Sequence, residues 1–411
     1  MIARDDRGNL CVSGVAAAEL VERFGSPLYA YSADVIRQRY RRLRKAFGAL
    51  LDDVHYSVKA LSNLSILRLL DEEGAGFDVV SGGEIARCLE VGVDPARIVF
   101  AGVGKTDAEL RGALEAGVGT FNVESRSEWE SLRALAVSTG RTARVALRVN
   151  PDVDAGTHRY ITTGRGHNKF GMDLETAWSI LEAGVEPLRF QGFHLHIGSQ
   201  ITRPEPLVEL AEVAVQLAEA ARRRGSPVAG MNLGGGLGVG YREPGLDLES
   251  AVAALRPTLE RLGVPISLEP GRFLVAEAGV LLTRVVRIKE GDRRFVIVDA
   301  GMNDLLRPAL YQAEHVIDTV RSVSGEHRLS DVVGPICESA DFFALDLPLE
   351  PVVCGDLLAV RTAGAYGFSM ASQYNSRLRP AEVLVEGAEA RCIRRREEPE
   401  DLWRLELSDG L

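Results

Sequence analysis

The sequence has few cysteines, no long apolar run and no secretory signal, and each absence excludes a class of protein. Its 411 residues include five cysteines, which are scattered and form no Cys-x-x-Cys pair. This excludes a disulfide scaffold and favours a reducing, cytoplasmic compartment. No run of about 18 apolar residues is present, so we predict no transmembrane helix and no membrane partner. The N-terminus carries Asp5 and Asp6 and no apolar core, so we expect no signal peptide.

The sequence also lacks an excess of positive charge. Lys and Arg total 48 and Asp and Glu total 58, which gives a formal net charge of −10. Because non-specific nucleic-acid binding needs a basic surface, we predict no nucleic-acid partner. Hydrophobic residues make up 46% and charged residues 26%, which is typical of a folded globular protein. The length indicates two domains, one of them large enough for a barrel.

Strand-like and helical segments alternate between residues 30 and 275. Helices are predicted at Leu64–Glu73, capped by Ser62, and between Thr106 and Gly117. Eight strands alternating with helices predict an α/β fold, a (β/α)8 TIM barrel, with a doubly wound open sheet as the alternative. The eight predicted strands are Val54–Ala60, Gly76–Ser81, Arg97–Gly102, Gly119–Glu124, Arg144–Asn150, Phe190–Ser199, Met231–Gly236 and Ile266–Arg272.

Beyond residue 275 the helical periodicity fades and strand-like runs are separated by turn residues. We therefore predict a C-terminal all-β domain, which the N-terminal segment completes with a strand around Leu28-Tyr29-Ala30-Tyr31. The predicted domains are a barrel at 30–275 and a β-rich domain at 1–29 plus 276–411. The predicted C-terminal strands are Val280–Ile288, Arg294–Val298, Arg328–Val333, Leu357–Thr362 and Ala381–Val385.

In a TIM barrel the reactive groups lie at the carboxyl ends of the strands, and two cationic or titratable motifs fall there. Lys59 ends the first predicted strand between apolar neighbours. Such a lysine either extends its amine to solvent or serves as a desolvated nucleophile. His194 and His196 share one face of the sixth strand, where an imidazole could stack on a planar cofactor, act as an acid, or be a hydrogen-bonded core residue. We find no third ligand at a suitable spacing, so no metal is predicted.

Two further motifs follow the seventh and eighth strands. Gly234-Gly235-Gly236 would let backbone N–H groups surround an anion, at the usual phosphate site of this fold. Glu269 could hold a proton on a ring nitrogen and Arg272 could bind a carboxylate, or the two could pair with each other. A lysine, a histidine, a glycine loop and a carboxylate together predict a site for pyridoxal 5'-phosphate.

At this point the sequence resembles the diaminopimelate decarboxylases, which belong to the alanine-racemase-like (fold type III) pyridoxal phosphate enzymes. The resemblance extends from Pro27 to Val385, and the order and spacing of its motifs are more specific than any single motif. The motifs are Tyr56-Ser57-Val58-Lys59-Ala60, Gly76-Phe77-Asp78-Val79-Val80-Ser81-Gly82-Gly83-Glu84, His194-Leu195-His196-Ile197-Gly198-Ser199-Gln200, Asn232-Leu233-Gly234-Gly235-Gly236, Glu269-Pro270-Gly271-Arg272, Cys337-Glu338-Ser339 and Ala365-Tyr366-Gly367-Phe368-Ser369-Met370.

The resemblance implies a role for each matching residue. Lys59 would be the Schiff-base lysine, His196 would stack on the pyridine ring, Glu269 would face the ring nitrogen, and Cys337 would be the general acid. The implied cofactor-binding residues also include Asp78, Ser199, Gly234, Gly235, Gly236, Gly271, Arg272 and Tyr366. The implied substrate-binding residues are Arg272, Arg307, Tyr311, Glu338 and Tyr366.

The implied reaction is decarboxylation of the D-configured end of meso-diaminopimelate to give L-lysine. A homodimer is implied as well, because Cys337 and Glu338 of the family reach the neighbouring subunit's site. The sequence departs from many relatives at Leu61, Leu195, Gln373 and Ala340, none of which is an assigned site residue. We also predict that the loop Asp152–Gly171, anchored by Lys169-Phe170-Gly171, acts as a lid over the substrate.

Three alternatives remain open at the level of sequence. The first is a related decarboxylase that acts on ornithine, arginine, lysine, a D-amino acid, carboxynorspermidine or a carrier-bound amino acid. A substrate with a distal carboxylate and a distal amine suits Arg307 and Glu338 together, which favours diaminopimelate. The second is an amino-acid racemase, although no tyrosine base motif is evident. The third is a non-enzymatic pyridoxal phosphate carrier, which would have no need of the β-rich domain or Cys337.

Overall fold

The computed structural model describes residues 2–151 and 169–406. The chain groups into two compact units. The β unit comprises residues 1–38, 240–243 and 275–411, and the barrel unit comprises residues 39–239 and 244–274. Residues 30–38 and 240–243 thus belong to the β unit, although they fall within the range predicted for the barrel domain.

The N-terminal part of the β unit explains why residues 30–38 do not belong to the barrel. Strands β1 (Ile2–Arg4), β2 (Leu10–Val12) and β3 (Val15–Ala16) form a small antiparallel sheet and precede α1 (Ala17–Phe24). Strand β4 (Leu28–Ser32) is buried along its whole length, which is typical of a central strand. It pairs with strands from the C-terminal part of the chain, so residues 30–32 are held in the β unit. Helix α2 (Ala33–Phe47) follows.

Eight parallel strands of the described chain close into a barrel. Every barrel strand predicted from the sequence is found, and the closed order excludes the doubly wound alternative. The strand after Gly48–Leu50 ends at Ser57, so Lys59 lies in the single helical turn Val58–Ala60 that follows it and not in the strand itself. The barrel strands are β5 (Leu51–Ser57), β6 (Gly76–Val79), β7 (Ile98–Phe100), β8 (Thr120–Val123), β9 (Arg144–Arg148), β10 (Arg189–His194), β11 (Met231–Asn232) and β12 (Ile266–Leu268).

Helices follow the barrel strands, and several of them are capped by a side chain at the N-terminus. Thr106 and Glu109 form a capping box, and the helix ends at Gly117 with a left-handed φ of 83°. The predicted cap at Ser62 is wrong, because the side chain of Asn63 accepts the hydrogen bond from Ser65 N. The helices are α3 (Leu64–Glu72), α4 (Gly82–Glu90), α5 (Asp107–Ala116), α6 (Arg126–Thr139), α7 (Leu174–Glu182), α8 (Glu205–Arg223), α9 (Leu248–Leu262) and α10 (Arg272–Val275).

The C-terminal part of the β unit builds a large sheet around β4. Strand β4 pairs antiparallel with β13 on one side and parallel with β19 on the other. All five predicted C-terminal strands are found, together with three that the sequence reading missed, β15, β17 and β20. The elements are β13 (Gly279–Lys289), β14 (Phe295–Val298), α11 (Arg307–Tyr311), β15 (Ile317–Thr319), β16 (Arg328–Val333), β17 (Phe342–Leu349), β18 (Leu357–Val360), β19 (Ala381–Glu386) and β20 (Glu389–Arg394).

The described helices include none with both the length and the apolar character needed to cross a membrane.

Candidate active site

Glu269 follows β12 directly, and its carboxylate is buried in the barrel unit and hydrogen-bonded at both oxygens. Its Oε1 accepts hydrogen bonds from Asn122 Nδ2 at 2.9 Å and from Asn232 Nδ2 at 2.7 Å. Its Oε2 lies 3.0 Å from His194 Nε2. Glu269 is only 6% exposed, so a carboxylate is held in the barrel interior by three oriented polar groups. Glu269 is therefore held in place by Asn122, Asn232 and His194.

Two buried carboxylates of this region have pKa values that move in opposite directions. Burial alone would raise the pKa of Glu269, but the positive charges of His194 and Lys59 and the hydrogen bonds from His194 and Asn232 hold it well below its usual range. Burial, followed by the nearby charge of Glu269, raises the pKa of Asp78. Pairs whose environments separate their pKa values in this way are typical of sites that handle protons.

Lys59 lies beside the second of these carboxylates. Its Nζ is 3.5 Å from Asp78 Oδ2, and the Ser57 hydroxyl lies 2.7 Å from the same oxygen. Asp78 is 1% exposed, whereas the Lys59 side chain is 45% exposed. The amine of Lys59 therefore lies at the surface of the barrel unit, beside a buried acid.

The glycine loop after β11 is joined to Glu269 by Asn232. Asn232 Oδ1 accepts a hydrogen bond from Gly234 N at 2.8 Å while its amide donates to Glu269. A Cβ at Gly235 would lie 2.1 Å from the Glu269 carbonyl oxygen, and one at Gly236 would lie 2.4 Å from the Gly198 carbonyl oxygen. Only glycine fits these positions, so the loop can pack directly against the backbone of Glu269 and Gly198.

His196 is held in its neutral form beside the loop. Gly235 N donates to His196 Nδ1 at 3.2 Å, so the second ring nitrogen of the neutral imidazole carries the proton. Burial, followed by the charges of Arg148 and Lys59, lowers the pKa of His196 well below its usual value. A neutral, flat ring at this position suits contact with an aromatic cofactor. The two histidines of the motif therefore have different roles. His194 binds Glu269, and His196 binds the glycine loop.

The remaining predicted barrel residues lie around the motif that follows β12. Arg272 Nη2 donates to Ser199 Oγ at 3.3 Å, which joins two residues predicted to bind the cofactor. A Cβ at Gly271 would come within 3.0 Å of the Cβ atoms of Ser57 and Ala60. Gly271 therefore allows this motif to pack against the segment that carries Lys59.

Two buried ion pairs support the site, and sequence reasoning missed both. Lys105 Nζ binds Glu128 Oε1 at 2.5 Å and also donates to the carbonyl oxygen of Asn122 at 2.8 Å. Arg148 Nη1 binds Glu124 Oε1 at 2.5 Å. The pairs flank β8, whose Asn122 binds Glu269. Neither pair has a sequence signal, since each partner is distant along the chain and looks like an ordinary surface charge.

Five predicted site residues lie in the β unit. Arg307 begins α11 and is buried, and Tyr311 ends the same helix and is half-buried. Tyr366 is half-buried and adopts a φ of 56°, an uncommon conformation for a bulky residue. Cys337 and Glu338 are both exposed.

The loop that carries Cys337 is fixed by a buried carboxylate. Asp341 accepts hydrogen bonds from Ile336 N and from Met302 N, both at 2.6 Å. The backbone N–H of Cys337 donates to Asn375 Oδ1 at 2.7 Å. Cys337 thus stands on a rigid turn with its side chain exposed.

The predicted lid and the metal prediction can be compared with the structure only in part. Residues 152–168 of the predicted lid lie outside the described residues. Gly171, in the predicted anchor, donates its N–H to Glu124 Oε2 at 2.8 Å. Within residues 2–151 and 169–406, no cluster of three or more His, Cys, Asp or Glu side chains could hold a metal ion.

The donor set of the barrel unit fits pyridoxal 5'-phosphate. Lys59 supplies an amine, and Glu269 is an ionised carboxylate that suits a protonated ring nitrogen. Gly235 and Gly236 leave no room for side chains, so a phosphate could lie directly against the backbone of the loop. Neutral His196 offers a ring face. Each chemical feature of the cofactor therefore has a matching group on the chain.

Comparison with known proteins agrees with this assignment. A family model described as "Pyridoxal-dependent decarboxylase, pyridoxal binding domain" matches residues 33–276. A diaminopimelate decarboxylase of Pseudomonas aeruginosa is 47% identical over 398 residues, which cover 96% of this chain and 96% of that protein. The crystal structure of diaminopimelate decarboxylase from Helicobacter pylori complexed with L-lysine has a TM-score of 0.91 and 42% identity, over 95% of this chain and 98% of that chain. The diaminopimelate decarboxylase from M. jannaschii in co-complex with L-lysine has a TM-score of 0.94 and 38% identity, over 100% of this chain and 98% of that chain.

The fold and the site define a barrel-type, pyridoxal phosphate-dependent decarboxylase. The matches extend through both units of the chain, including the loop of Cys337. The chain belongs to the diaminopimelate decarboxylase family.

Proposed function

We propose that this chain removes CO2 from meso-2,6-diaminopimelate to give L-lysine, the last step of lysine biosynthesis, with pyridoxal 5'-phosphate as cofactor. The observation that carries the proposal is the ionised, buried Glu269, held by Asn122, Asn232 and His194 after the last barrel strand. A carboxylate kept charged at this position would keep a pyridine nitrogen protonated. The lysine-bound structures of relatives supply the choice of substrate.

We assign the cofactor contacts to the barrel unit and to one residue of the β unit. Lys59 would hold the cofactor covalently, and His196 would lie against its ring. Asp78 positions the amine of Lys59. The residues assigned to the phosphate and its surroundings are Ser199, Gly234, Gly235, Gly236, Gly271, Arg272 and Tyr366.

We assign the substrate contacts by charge. Arg272, Arg307 and Tyr311 bind carboxylates of the substrate, and Glu338 binds its distal amine, with Tyr366 nearby. A diamino dicarboxylate presents both a carboxylate and an amine at the end that does not react. An arginine and a glutamate at that end match the substrate, whereas a simple diamine precursor needs no arginine.

The chain's own residues would perform the following steps. The bound cofactor supplies an electron sink for the pair left when CO2 departs. Lys59 would hold the cofactor when no substrate is bound. Glu269 would keep the ring nitrogen of the cofactor protonated. Cys337 donates a proton to the carbon that has lost CO2.

We propose that the enzyme is a cytoplasmic homodimer with shared active sites. Cys337 and Glu338 are exposed on the β unit, and Asp341 and Asn375 fix the backbone of their loop. A rigid loop with two exposed reactive groups suits a role in the site of a second subunit.

The function is tested by measuring CO2 release from a panel of amino acids by the purified yellow protein. The panel contains meso-diaminopimelate, L,L-diaminopimelate, L- and D-ornithine, L- and D-lysine, L-arginine and carboxynorspermidine. We expect release from the meso isomer alone, with L-lysine as the product. Release mainly from another amine would leave the fold and cofactor unchanged and would contradict the substrate assignment.

A further inference from the structure

The side chain of Arg307 is enclosed by two residues that sequence reasoning did not single out. Arg307 Nη1 lies 2.8 Å from His315 Nε2, and both residues are buried, with 6% and 1% of their surfaces exposed. The guanidinium carbon lies 4.7 Å from the centre of the Tyr241 ring. The rings of Tyr241 and His315 meet edge to face at 5.1 Å. The three side chains form one packed cluster within the β unit.

The hydrogen bonds fix which nitrogen of His315 carries the proton. An arginine is always a donor, so Nε2 of His315 must be the acceptor. Nδ1 lies 2.8 Å from the carbonyl oxygen of Arg361, which can only accept. Nδ1 therefore carries the proton, and the ring is a neutral bridge between the Arg361 backbone and the Arg307 guanidinium.

The local chain explains how a residue eight positions away reaches Arg307. Helix α11 ends at Tyr311, and Gln312 takes a left-handed φ of 53° that reverses the chain. His315 then precedes β15, which pairs with β18. His315 thus lies just before the sheet strand β15 and Arg307 lies in α11, and their hydrogen bond joins the two segments.

We infer that His315 is a positioning residue that sets the orientation of Arg307 for the distal carboxylate of the substrate. The inference rests on the proposed function, in which Arg307 binds that carboxylate. A guanidinium carries five N–H donors, so Nη1 can bind His315 while the same group serves a carboxylate. Without His315, Arg307 would keep its charge but lose a fixed rotamer, and binding of a planar carboxylate depends on that orientation.

The test compares two ligands that differ only in the carboxylate at issue. L-Lysine retains the unreacted carboxylate of the substrate, and cadaverine (1,5-diaminopentane) is the same molecule without it. Dissociation constants of both are measured by calorimetry on the holoenzyme. The variants are His315→Leu, which removes the acceptor, His315→Gln, which can restore an acceptor and a donor, and Arg307→Gln as the reference for complete loss. His327→Leu is the control, because His327 is an exposed histidine of the same unit.

We expect His315→Leu to weaken L-lysine about tenfold, the size expected for a hydrogen bond to a charged group. Cadaverine should bind within about twofold of wild type, and His315→Gln should recover most of the lysine affinity. In turnover, the KM for meso-diaminopimelate should rise more than kcat falls. A purely structural role would weaken both ligands equally.

Two outcomes overturn the inference, and they can be told apart. If His315→Leu leaves the ratio of the two dissociation constants unchanged while wild type still prefers L-lysine, His315 does not position Arg307 and the proposed function stands. If wild type itself shows no preference for L-lysine over cadaverine, the proposed function is wrong as well. Cofactor absorbance and thermal unfolding of each variant identify one that has not folded.

Discussion

At the scale of single residues, the site depends on polar groups that are buried and fully oriented. Glu269 is ionised because Asn122, Asn232 and His194 stabilise its charge. Asp78 lacks such a set, and burial with the charge of Glu269 raises its pKa. Chemically identical carboxylates are therefore given different proton affinities by their neighbours, which is how one protein can hold an acid and a base at the same pH.

Asp304 shows the same physics in the β unit and predicts a pH dependence of stability. It is 1% exposed, and burial raises the pKa of its carboxyl from 3.8 to about 7. The folded state therefore holds a proton that the unfolded state releases above about pH 4. The stabilisation from this group is complete below pH 4 and is lost as the pH rises to about 7, by up to about 4 kcal/mol.

The measurement is the free energy of urea unfolding of wild type and Asp304→Asn between pH 5 and 8. Asparagine is permanently neutral, so the variant should lose less stability than wild type as the pH rises. Asp292→Asn is the matched control, because Asp292 is exposed in the same unit. Parallel pH curves for wild type and Asp304→Asn would show that this carboxyl is not the group that titrates.

At the scale of elements, the backbone of the glycine loop lies too close to neighbouring backbone for any residue but glycine. Gly235→Ala would place a Cβ 2.1 Å from the Glu269 carbonyl oxygen, so the loop or β12 must move. We expect at least a tenfold loss of cofactor affinity and a loss of stability of about 1–3 kcal/mol from overpacking. Fluorescence titration of the apoprotein with pyridoxal phosphate and urea unfolding measure the two effects.

Gly112→Ala is the control for that substitution. Gly112 lies in α5, and an added Cβ there meets nothing within 4 Å. Alanine is the better helix former, so this variant should gain about 0.5–1 kcal/mol and bind the cofactor normally. Normal cofactor binding by Gly235→Ala as well would contradict the role assigned to the loop.

The elements also show what the sequence could predict and why some features escaped it. The eight barrel strands were predictable because short strand-like runs alternate with amphipathic helical stretches along this part of the chain. Strand β20 was not, because it lies at the edge of its sheet and most of its side chains are exposed or half-buried. Strand β17 contains Pro348 and the exposed Asp346, which mask the strand pattern.

The residues of the candidate site also fall into two groups, those that a sequence motif reveals and those that only the fold reveals. Lys59, His196 and Glu269 stand next to recognisable motifs, so sequence reasoning could name them. Asn122, which binds Glu269, and Lys105, which binds the carbonyl oxygen of Asn122, carry no local signal, because their importance comes from contacts with residues far along the chain. A buried ion pair such as Lys105–Glu128 is visible only once the fold is known.

At the scale of the whole molecule, the proposed shared sites predict that two inactive variants restore activity together. Lys59→Ala and Cys337→Ala each remove one essential group from every site. A mixed dimer would combine both defects in one site and leave the other intact. Each mixed dimer should then show about half of wild-type activity, since one of its two sites works. An unsorted random mixture should show about a quarter, since half of its dimers are mixed.

The experiment uses co-expression of the two variants with different affinity tags, followed by CO2 release from the doubly purified dimers. Each variant expressed alone is the control and should remain inactive. Light scattering gives the mass of the assembly independently. Recovery of no activity in mixed dimers would place Lys59 and Cys337 of one subunit in the same site.

Strand β4 has a consequence for how the chain is made. It is synthesised early, yet its partners β13 and β19 begin at Gly279 and Ala381. At roughly 5–20 residues per second, a ribosome needs on the order of tens of seconds to deliver them. During translation the strand Leu28–Ser32, which is buried along its whole length in the folded protein, has no sheet to join. The nascent chain thus carries an exposed hydrophobic segment near its start, which is the kind of segment that chaperones bind.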